Sequence, residues 1–417
     1  MKPFVQFRPL LPAVASDGPT TLDLLVTVAA PALPPRPEWL PRPSLNLALV
    51  IDRSGSMDGE KLSHSRNAAR LLVRGLTAQD RLAIVTFDQE ATVVVPSRQI
   101  DNPGPFFHAI DTIESGGTTA LFAGWLAGAR QVAEHLLPEG FNRVLLLSDG
   151  DANEGLTEAA AIAARVGGLN ERGISTSAFG LGSGFDEDLM GAIASAGDGT
   201  LAQIESPAQL AGLYASELLG LASTIGRKVR LSIRTKHGAE LVDLLNDLPL
   251  TSDGNYQLPN LRHGQELSAG LRLQLPAWAP NQEIAEVCLG WEGPEQIGQQ
   301  ELIESLTLPV MPLADLVSLD IDCLVVEQMA VLRANRERQK AIAELDRGNL
   351  RAAAQSLASI DLNLAALPQS EVVKQERQLL KEKQELLQQD CNLGRKRLRH
   401  ESLRSSLSVW EASDDID

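Results

Sequence analysis

The sequence predicts an α/β fold: a doubly wound, mostly parallel sheet inserted in an antiparallel β domain and followed by a C-terminal helical region. Three observations carry this expectation. Between residues 45 and 221 short aliphatic runs alternate with amphipathic segments, the pattern of successive βα units. After Ile225 the apolar period changes to two, as it does in an isolated run at residues 21–30. From Leu313 onward the period is helical.

The elements follow in order. Residues 21–30 alternate Leu22, Leu24, Val26 and Val28 with other residues, which reads as a strand with one buried face. It is too short to stand alone and needs a partner from later in the chain. Six prolines between Pro31 and Pro43 read as a stiff, extended linker. Residues 47–51 are aliphatic and uncharged, a strand buried on both faces. Residues 60–76 bring Leu62, Ala69, Leu72, Val73 and Leu76 to one helical face. Residues 81–87 and 91–95 are strands joined by a turn at Asp88-Gln89-Glu90, and residues 103–113 are helical. Gly116-Gly117-Thr118-Thr119 is a loop that opens a helix over 120–136. A second buried strand, 143–147, ends in Ser148-Asp149-Gly150. Thr157 is the expected N-cap of a helix reaching Asn170. Strands at 174–179 and 201–204 and helices at 186–194 and 208–221 complete the unit.

In the β region, Val229, Leu231 and Ile233 alternate with polar residues, as do the apolar positions from Leu267 to Leu275. Residues 284–289 and 302–308 are further strands. The lone strand at 22–30 is the natural missing member. The expected organisation is an N-terminal strand and Pro-rich linker at 1–43, an α/β domain at 44–221 and an antiparallel β domain at 222–312. A helical domain follows at 313–410, then an acidic disordered tail at 411–417. The helices are expected at 330–345, 349–360 and 370–388. The turn from Leu345 to Ala353 resembles the helix hairpin of tetratricopeptide-type repeats, but it occurs once and predicts no solenoid.

The candidate site lies in the loops that follow the buried strands. In an open α/β sheet, ligands bind in the crevice beyond the carboxyl ends of the strands. Asp52, Ser54 and Ser56 follow the first strand of the unit, Thr118 opens a helix, and Asp149 follows the strand 143–147. Two carboxylates and three hydroxyls form a hard-oxygen set suited to Mg²⁺, Mn²⁺ or Ca²⁺ rather than zinc. The segments Asp52-Arg-Ser-Gly-Ser56, Gly116-Gly117-Thr118 and Leu147-Ser-Asp149-Gly150 together resemble the von Willebrand factor type A domain and its metal-ion-dependent adhesion site. The resemblance spans about residues 44–221. It implies Asp52, Ser54, Ser56, Thr118 and Asp149 as metal ligands, with Thr119 the alternative to Thr118. It also implies a sheet with one antiparallel edge strand, supplied by the hairpin 81–95. In that family the cation keeps a coordination position for a carboxylate of a partner protein. The wider layout resembles bacterial cytoplasmic members, which implies a scaffold working with an ATPase or a kinase and phosphatase system.

The function expected is therefore metal-dependent protein–protein interaction, with Mg²⁺ foremost. A homotypic assembly using the same site is the second reading, and a metal-assisted hydrolase the third. Hydrolysis calls for an activated water and a general base, and no His stands in these motifs. The net charge of −17 argues against nucleic acid or an anionic membrane as partner. No run approaches the roughly 18 apolar residues of a membrane span, and the N-terminus lacks an apolar leader, so a cytoplasmic protein is expected. Cys288, Cys323 and Cys391 are far apart and read as reduced thiols. Arg53 reads as a solvated side chain, and Asp58 and Asp151 as rim charges. Gly180-Leu-Gly-Ser-Gly184 breaks the dinucleotide spacing at Phe185, and no Walker lysine or nucleophile elbow is present. The basic run Arg395–His400 reads as a solvated helix face, with a docking point for an acidic partner or a phosphate backbone as the second reading.

Overall fold

The computed structural model describes residues 2–32 and 43–389, apart from 139, 151, 183, 205, 252, 294–297 and 369, and also residues 394, 395 and 398. The acidic tail, Asp151 and most of the basic run lie outside the described residues. These residues divide into two units. One lies within Arg36–Thr224, and the other within Met1–Pro35, Ile225–Gly293 and Ile297–Asp417.

The chain opens with β1 (Phe4–Pro9), β2 (Val14–Ala15) and β3 (Thr20–Ala29). The α/β unit then runs β4 (Leu45–Asp52), α1 (Glu60–Gly75), β5 (Arg81–Phe87), β6 (Ala91–Gln99), α2 (Gly104–Asp111) and α3 (Leu121–Ala133). It continues with β7 (Phe141–Ser148), α4 (Ala159–Asn170), β8 (Ile174–Leu181), α5 (Glu187–Ala196), β9 (Leu201–Ile204) and α6 (Leu210–Ala222). Six strands form one sheet in the order β6-β5-β4-β7-β8-β9. Every pairing is parallel except β5 with β6, the antiparallel edge. β4 and β7 are buried along their whole lengths, which explains their uninterrupted aliphatic runs. One core lies between the sheet and α1, α2 and α6, including Leu47, Leu49, Leu72 and Phe106. The other lies between the sheet and α3, α4 and α5, including Val50, Val144, Trp125 and Ile193. Each fully buried Leu or Ile contributes about 1.5–3 kcal/mol relative to exposure.

Some limits differ from the sequence reading. β6 runs through Pro96 to Gln99, four residues past the expected end. An edge strand tolerates a residue that cannot donate to the ladder. α4 starts at Ala159 with Glu158 at its N-cap, not Thr157, and without a side-chain cap. α3 ends at Ala133, three residues early. Arg143, the one charged residue of the buried strand β7, is 3 % exposed. It pairs with Glu217 and donates to Ser175, Ser177 and the Asp198 carbonyl.

The other unit continues with β10 (Thr224–Thr235), β11 (Glu240–Leu244), β12 (Tyr256–Gln257), β13 (Leu261–Arg262) and β14 (Glu266–Leu275). β15 (Ala285–Glu292), β16 (Gln299–Leu306) and β17 (Val310–Met311) follow, then α7 (Leu313–Leu316), α8 (Cys323–Asp346), α9 (Leu350–Ala365) and α10 (Glu371–Gln389). Its strands form two main sheets, β1-β3-β14-β11 and β12-β10-β15-β16 with β13 on β10. β3 pairs antiparallel with β14 over ten residues, from Thr20 opposite Leu275 to Ala29 opposite Glu266. The early period-2 strand is thus completed by a strand some 240 residues later, and both sheets share one core, including Leu24, Val26, Leu231, Leu271 and Trp291. The α/β unit lies in sequence between the two parts of this unit.

α8 begins seven residues before its expected start. Asp322 caps it, its carboxylate accepting from the amides of Leu324 and Val325. The added turns bring Val325 and Met329, together with Leu332, against Leu25 and Leu245 of the β layer. Its C-terminal half packs with α9 and α10 around Leu357, Ile360 and Leu380. Arg336 on α8 binds Asp243 with two nitrogens and also reaches Asp247 and the Leu244 carbonyl.

Candidate metal centre

The site begins with the register of two strands. β4 and β7 are parallel neighbours, with Ile51 opposite Leu147. Asp52 and Ser148 therefore end their strands side by side, and Asp149 is the next residue. Asp52 is fully buried and Asp149 is 2 % exposed. The chain turns sharply after Asp52, whose Oδ1 accepts from the Ser54 amide at 2.8 Å. Met57, fully buried in the core on the α1 side, pins the far end of the turn.

Backbone bonds stitch this turn to its neighbours. Arg53 N donates to the Phe87 carbonyl at 2.8 Å, Gly116 N to the Arg53 carbonyl at 2.8 Å, and Gly55 N to the Gly117 carbonyl at 3.2 Å. Ala120 N donates to the Asp88 carbonyl and Asn153 N to the Thr119 carbonyl, at 2.6 and 3.2 Å. Four loops at the carboxyl edge of the sheet are thereby held as one surface. Gly117 has φ 75°, and a side-chain carbon there would meet Asp88 Cβ at 2.8 Å. Only glycine suits both its conformation and its clearance.

The side chains form one hydrogen-bonded cluster. Ser148 Oγ donates to Asp52 Oδ2 at 2.5 Å. Ser54 Oγ and Ser56 Oγ are 3.1 Å apart, and Ser56 Oγ donates to Asp149 Oδ1 at 2.7 Å. Lys61, in the first turn of α1, places Nζ on Asp149 Oδ2 and 3.2 Å from the Ser56 carbonyl. Burial pushes the Asp52 carboxyl above its usual range. The Ser148 and Ser54 donors oppose that shift, and the nearby Asp149 charge adds to it.

The structure thus brings together Asp52, Ser54, Ser56 and Asp149. Thr118 lies on the adjoining loop, exposed, with its hydroxyl donating to Glu154 Oε2 at 3.2 Å. Thr119 is buried, and its amide donates to Asn153 Oδ1 at 2.9 Å. Arg53 departs from the reading of a solvated side chain: it pairs with Asp88 at 2.8 Å, and Asp88 is largely buried. Asp58 accepts from Ser115 Oγ at 2.8 Å, tying the turn to the loop before Gly116. Sequence reasoning missed Lys61 and Ser148. Neither contact has a local signal: Ser148 bonds Asp52 across 96 residues of chain and Lys61 reaches Asp149 across 88.

The donor set fits a hard divalent cation on two counts. All the converging ligand atoms are carboxylate or hydroxyl oxygens. Asp52 is a buried carboxylate satisfied by neutral donors only among its hydrogen bonds.

The family model for the von Willebrand factor type A domain matches residues 46–216. The uncharacterized protein YfbK of Escherichia coli (strain K12) is 32 % identical over 193 residues, 46 % of this chain and 34 % of that one. The uncharacterized protein sll0103 of Synechocystis is 27 % identical over 328 residues, 75 % of this chain and 77 % of that one. The chain therefore spans about a third of the first relative's length and about three quarters of the second's. Among solved structures, a von Willebrand factor type A protein from Catenulispora acidiphila aligns with TM-score 0.68 and 17 % identity. The alignment covers 91 % of this chain and 89 % of that one, so the likeness of fold extends well beyond the matched domain. Among the described residues no helix is long and apolar enough to cross a membrane. Sheet order, antiparallel edge and family match agree: residues 46–216 match the von Willebrand factor type A domain and have its α/β fold.

Proposed function

We propose that this chain is a metal-dependent protein-interaction module. Asp52, Ser54, Ser56 and Asp149 would hold a divalent cation, with Thr118 as the fifth ligand and Mg²⁺ the expected ion ahead of Mn²⁺ and Ca²⁺. The observation that carries this reading is the buried pair Asp52 and Asp149, linked through Ser54 and Ser56, with Ser148 on Asp52, at the carboxyl edge of β4 and β7. Bound there, the cation would supply a positive centre able to accept a carboxylate from a partner protein, since two protein carboxylates leave it a strong electrophile. The protein's own residues do the rest. The buried strands fix the two carboxylates, the turn 53–57 sets the serines, and backbone bonds from Gly116 to Arg53, Gly55 to Gly117 and Ala120 to Asp88 hold the loop that carries Thr118.

In this reading the site binds and does not catalyse. Residues 44–221 are the binding module, and residues 1–43, 222–312 and 313–410 form the scaffold that carries it. The resemblance to bacterial cytoplasmic members extends the proposal to a cytoplasmic scaffold whose partner offers an Asp or Glu side chain. The test is affinity capture in Mg²⁺ with wild type beside Asp52→Ala. Partners retained by wild type, released by EDTA and absent with Asp52→Ala support the reading. Partners captured equally by both proteins contradict it. Light scattering with and without Mg²⁺ separates a second copy of the chain from a different partner.

A further inference from the structure

We propose that Lys61 is a built-in competitor for the cation, which sets how weakly this site loads. The inference rests on the metal-site reading above and assigns a role to a residue outside the ligand set. Lys61 occupies the first turn of α1, where the positive end of the helix dipole disfavours a cation. It turns back over the loop, and its ammonium meets both the Ser56 carbonyl and Asp149 Oδ2. The Asp149 side chain is completely buried while Lys61 is 37 % exposed. Lys61 is thus the partner that neutralises a carboxylate withdrawn from water. Asp52, by contrast, is held by the Ser54 amide and the Ser148 hydroxyl.

The charge balance follows directly. Asp52 and Asp149 bring two negative charges, and Lys61 cancels one. A divalent cation arriving at Asp149 must either displace the ammonium or accept it as a close like-charged neighbour. Both routes weaken binding. At separations of about 4–5 Å a like charge costs a cation on the order of tenfold or more in affinity, even with strong solvent screening. The same ammonium supports the metal-free domain by satisfying Asp149. Lys61 therefore exchanges metal affinity for stability of the unloaded state.

The test uses the full chain with Mn²⁺ as the probe, by titration calorimetry and thermal denaturation. Lys61→Met removes the charge and keeps most of the stem, Lys61→Gln is the second variant in case Met perturbs folding, and Lys61→Arg keeps the charge. The expected result is Mn²⁺ affinity raised about tenfold or more in Lys61→Met and Lys61→Gln, and near wild type in Lys61→Arg. Without metal the two neutral variants should melt below wild type, with the gap closing at saturating Mn²⁺. Equal or weaker Mn²⁺ binding by the neutral variants, with wild type binding normally, overturns the role of Lys61 and leaves the metal site standing. Absence of Mn²⁺ binding from wild type and neutral variants alike overturns both readings. Binding that survives Asp52→Ala in the Lys61→Met background also overturns both, because the ion then sits elsewhere.

Discussion

Gly128→Ala adds one methyl group at the point where α3 rests on β4. A Cβ there would lie 2.4 Å from Val50 Cγ2 and 3.4 Å from Ala48 Cβ. Two carbons prefer about 3.5–4.0 Å, so the overlap with Val50 is more than 1 Å. Val50 is fully buried in a strand flanked on both sides, and has nowhere to retreat. Overpacking a filled core costs about 1–3 kcal/mol, and this site belongs near the top of that range. Against it stands the helical preference for Ala over Gly, about 1 kcal/mol. The net expectation is a loss of about 2 kcal/mol, read by calorimetry as a fall of about 4–8 °C in the transition of the α/β domain. A double-mutant cycle sharpens the test. Val50→Ala removes the clashing carbon, so Gly128→Ala in that background should cost at least about 1 kcal/mol less than in wild type. The α3 helix begins just after Thr119, so the single variant should also weaken Mn²⁺ binding. A neutral or stabilising Gly128→Ala, or strict additivity with Val50→Ala, would refute the close approach of α3 to β4.

Other expectations follow from the same geometry. Thr118→Ala should lower Mn²⁺ affinity by about tenfold or more in calorimetry, as for loss of an outlying ligand group, while Thr119→Ala leaves it nearly unchanged; the reverse outcome would transfer the ligand role to Thr119. Arg143→Ala leaves Glu217 buried without its guanidinium and should destabilise the α/β domain by about 3–5 kcal/mol in denaturant titration. Arg336→Met should cost about 1 kcal/mol near neutral pH, a figure already reduced for solvent screening. Arg336 holds the Asp243 carboxyl below its ordinary 3.8, chiefly by hydrogen bonding. The stabilisation linked to Asp243 ionisation is thus present above pH 3.8 and is lost as pH falls through the lower folded value. The gap between wild type and Arg336→Met in a pH series should narrow across that acidic window. A gap that widens on acidification would contradict the sign.

The α/β order was legible because β4 and β7 are buried on both faces and leave unbroken aliphatic runs. The pairing of β3 with β14 left its trace as a period-2 strand lacking a neighbour. Other elements left weaker traces. β1 alternates exposed and half-buried residues, and β11 does so over most of its length, so neither produces a strong apolar period. The first turns of α8 face a sheet rather than another helix, and their start was marked only by Asp322 as a cap. At the site, Asp52, Ser54, Ser56 and Asp149 were readable from strand ends and spacing. Arg53, Ser148 and Lys61 were not, because each acts through a partner distant in sequence: Asp88 on the β5–β6 turn, Asp52 on the neighbouring strand, and Asp149 across the sheet edge. Charge partners of this kind have no local period.

Asp52 and Asp149 are expected to hold a divalent cation. Titration of the wild-type chain with Mn²⁺ beside Asp52→Ala and Asp149→Ala tests it most directly. The expected result is one saturable site per wild-type chain and loss of that binding in both variants, each retaining its circular dichroism. Unchanged Mn²⁺ affinity in the two variants would contradict it.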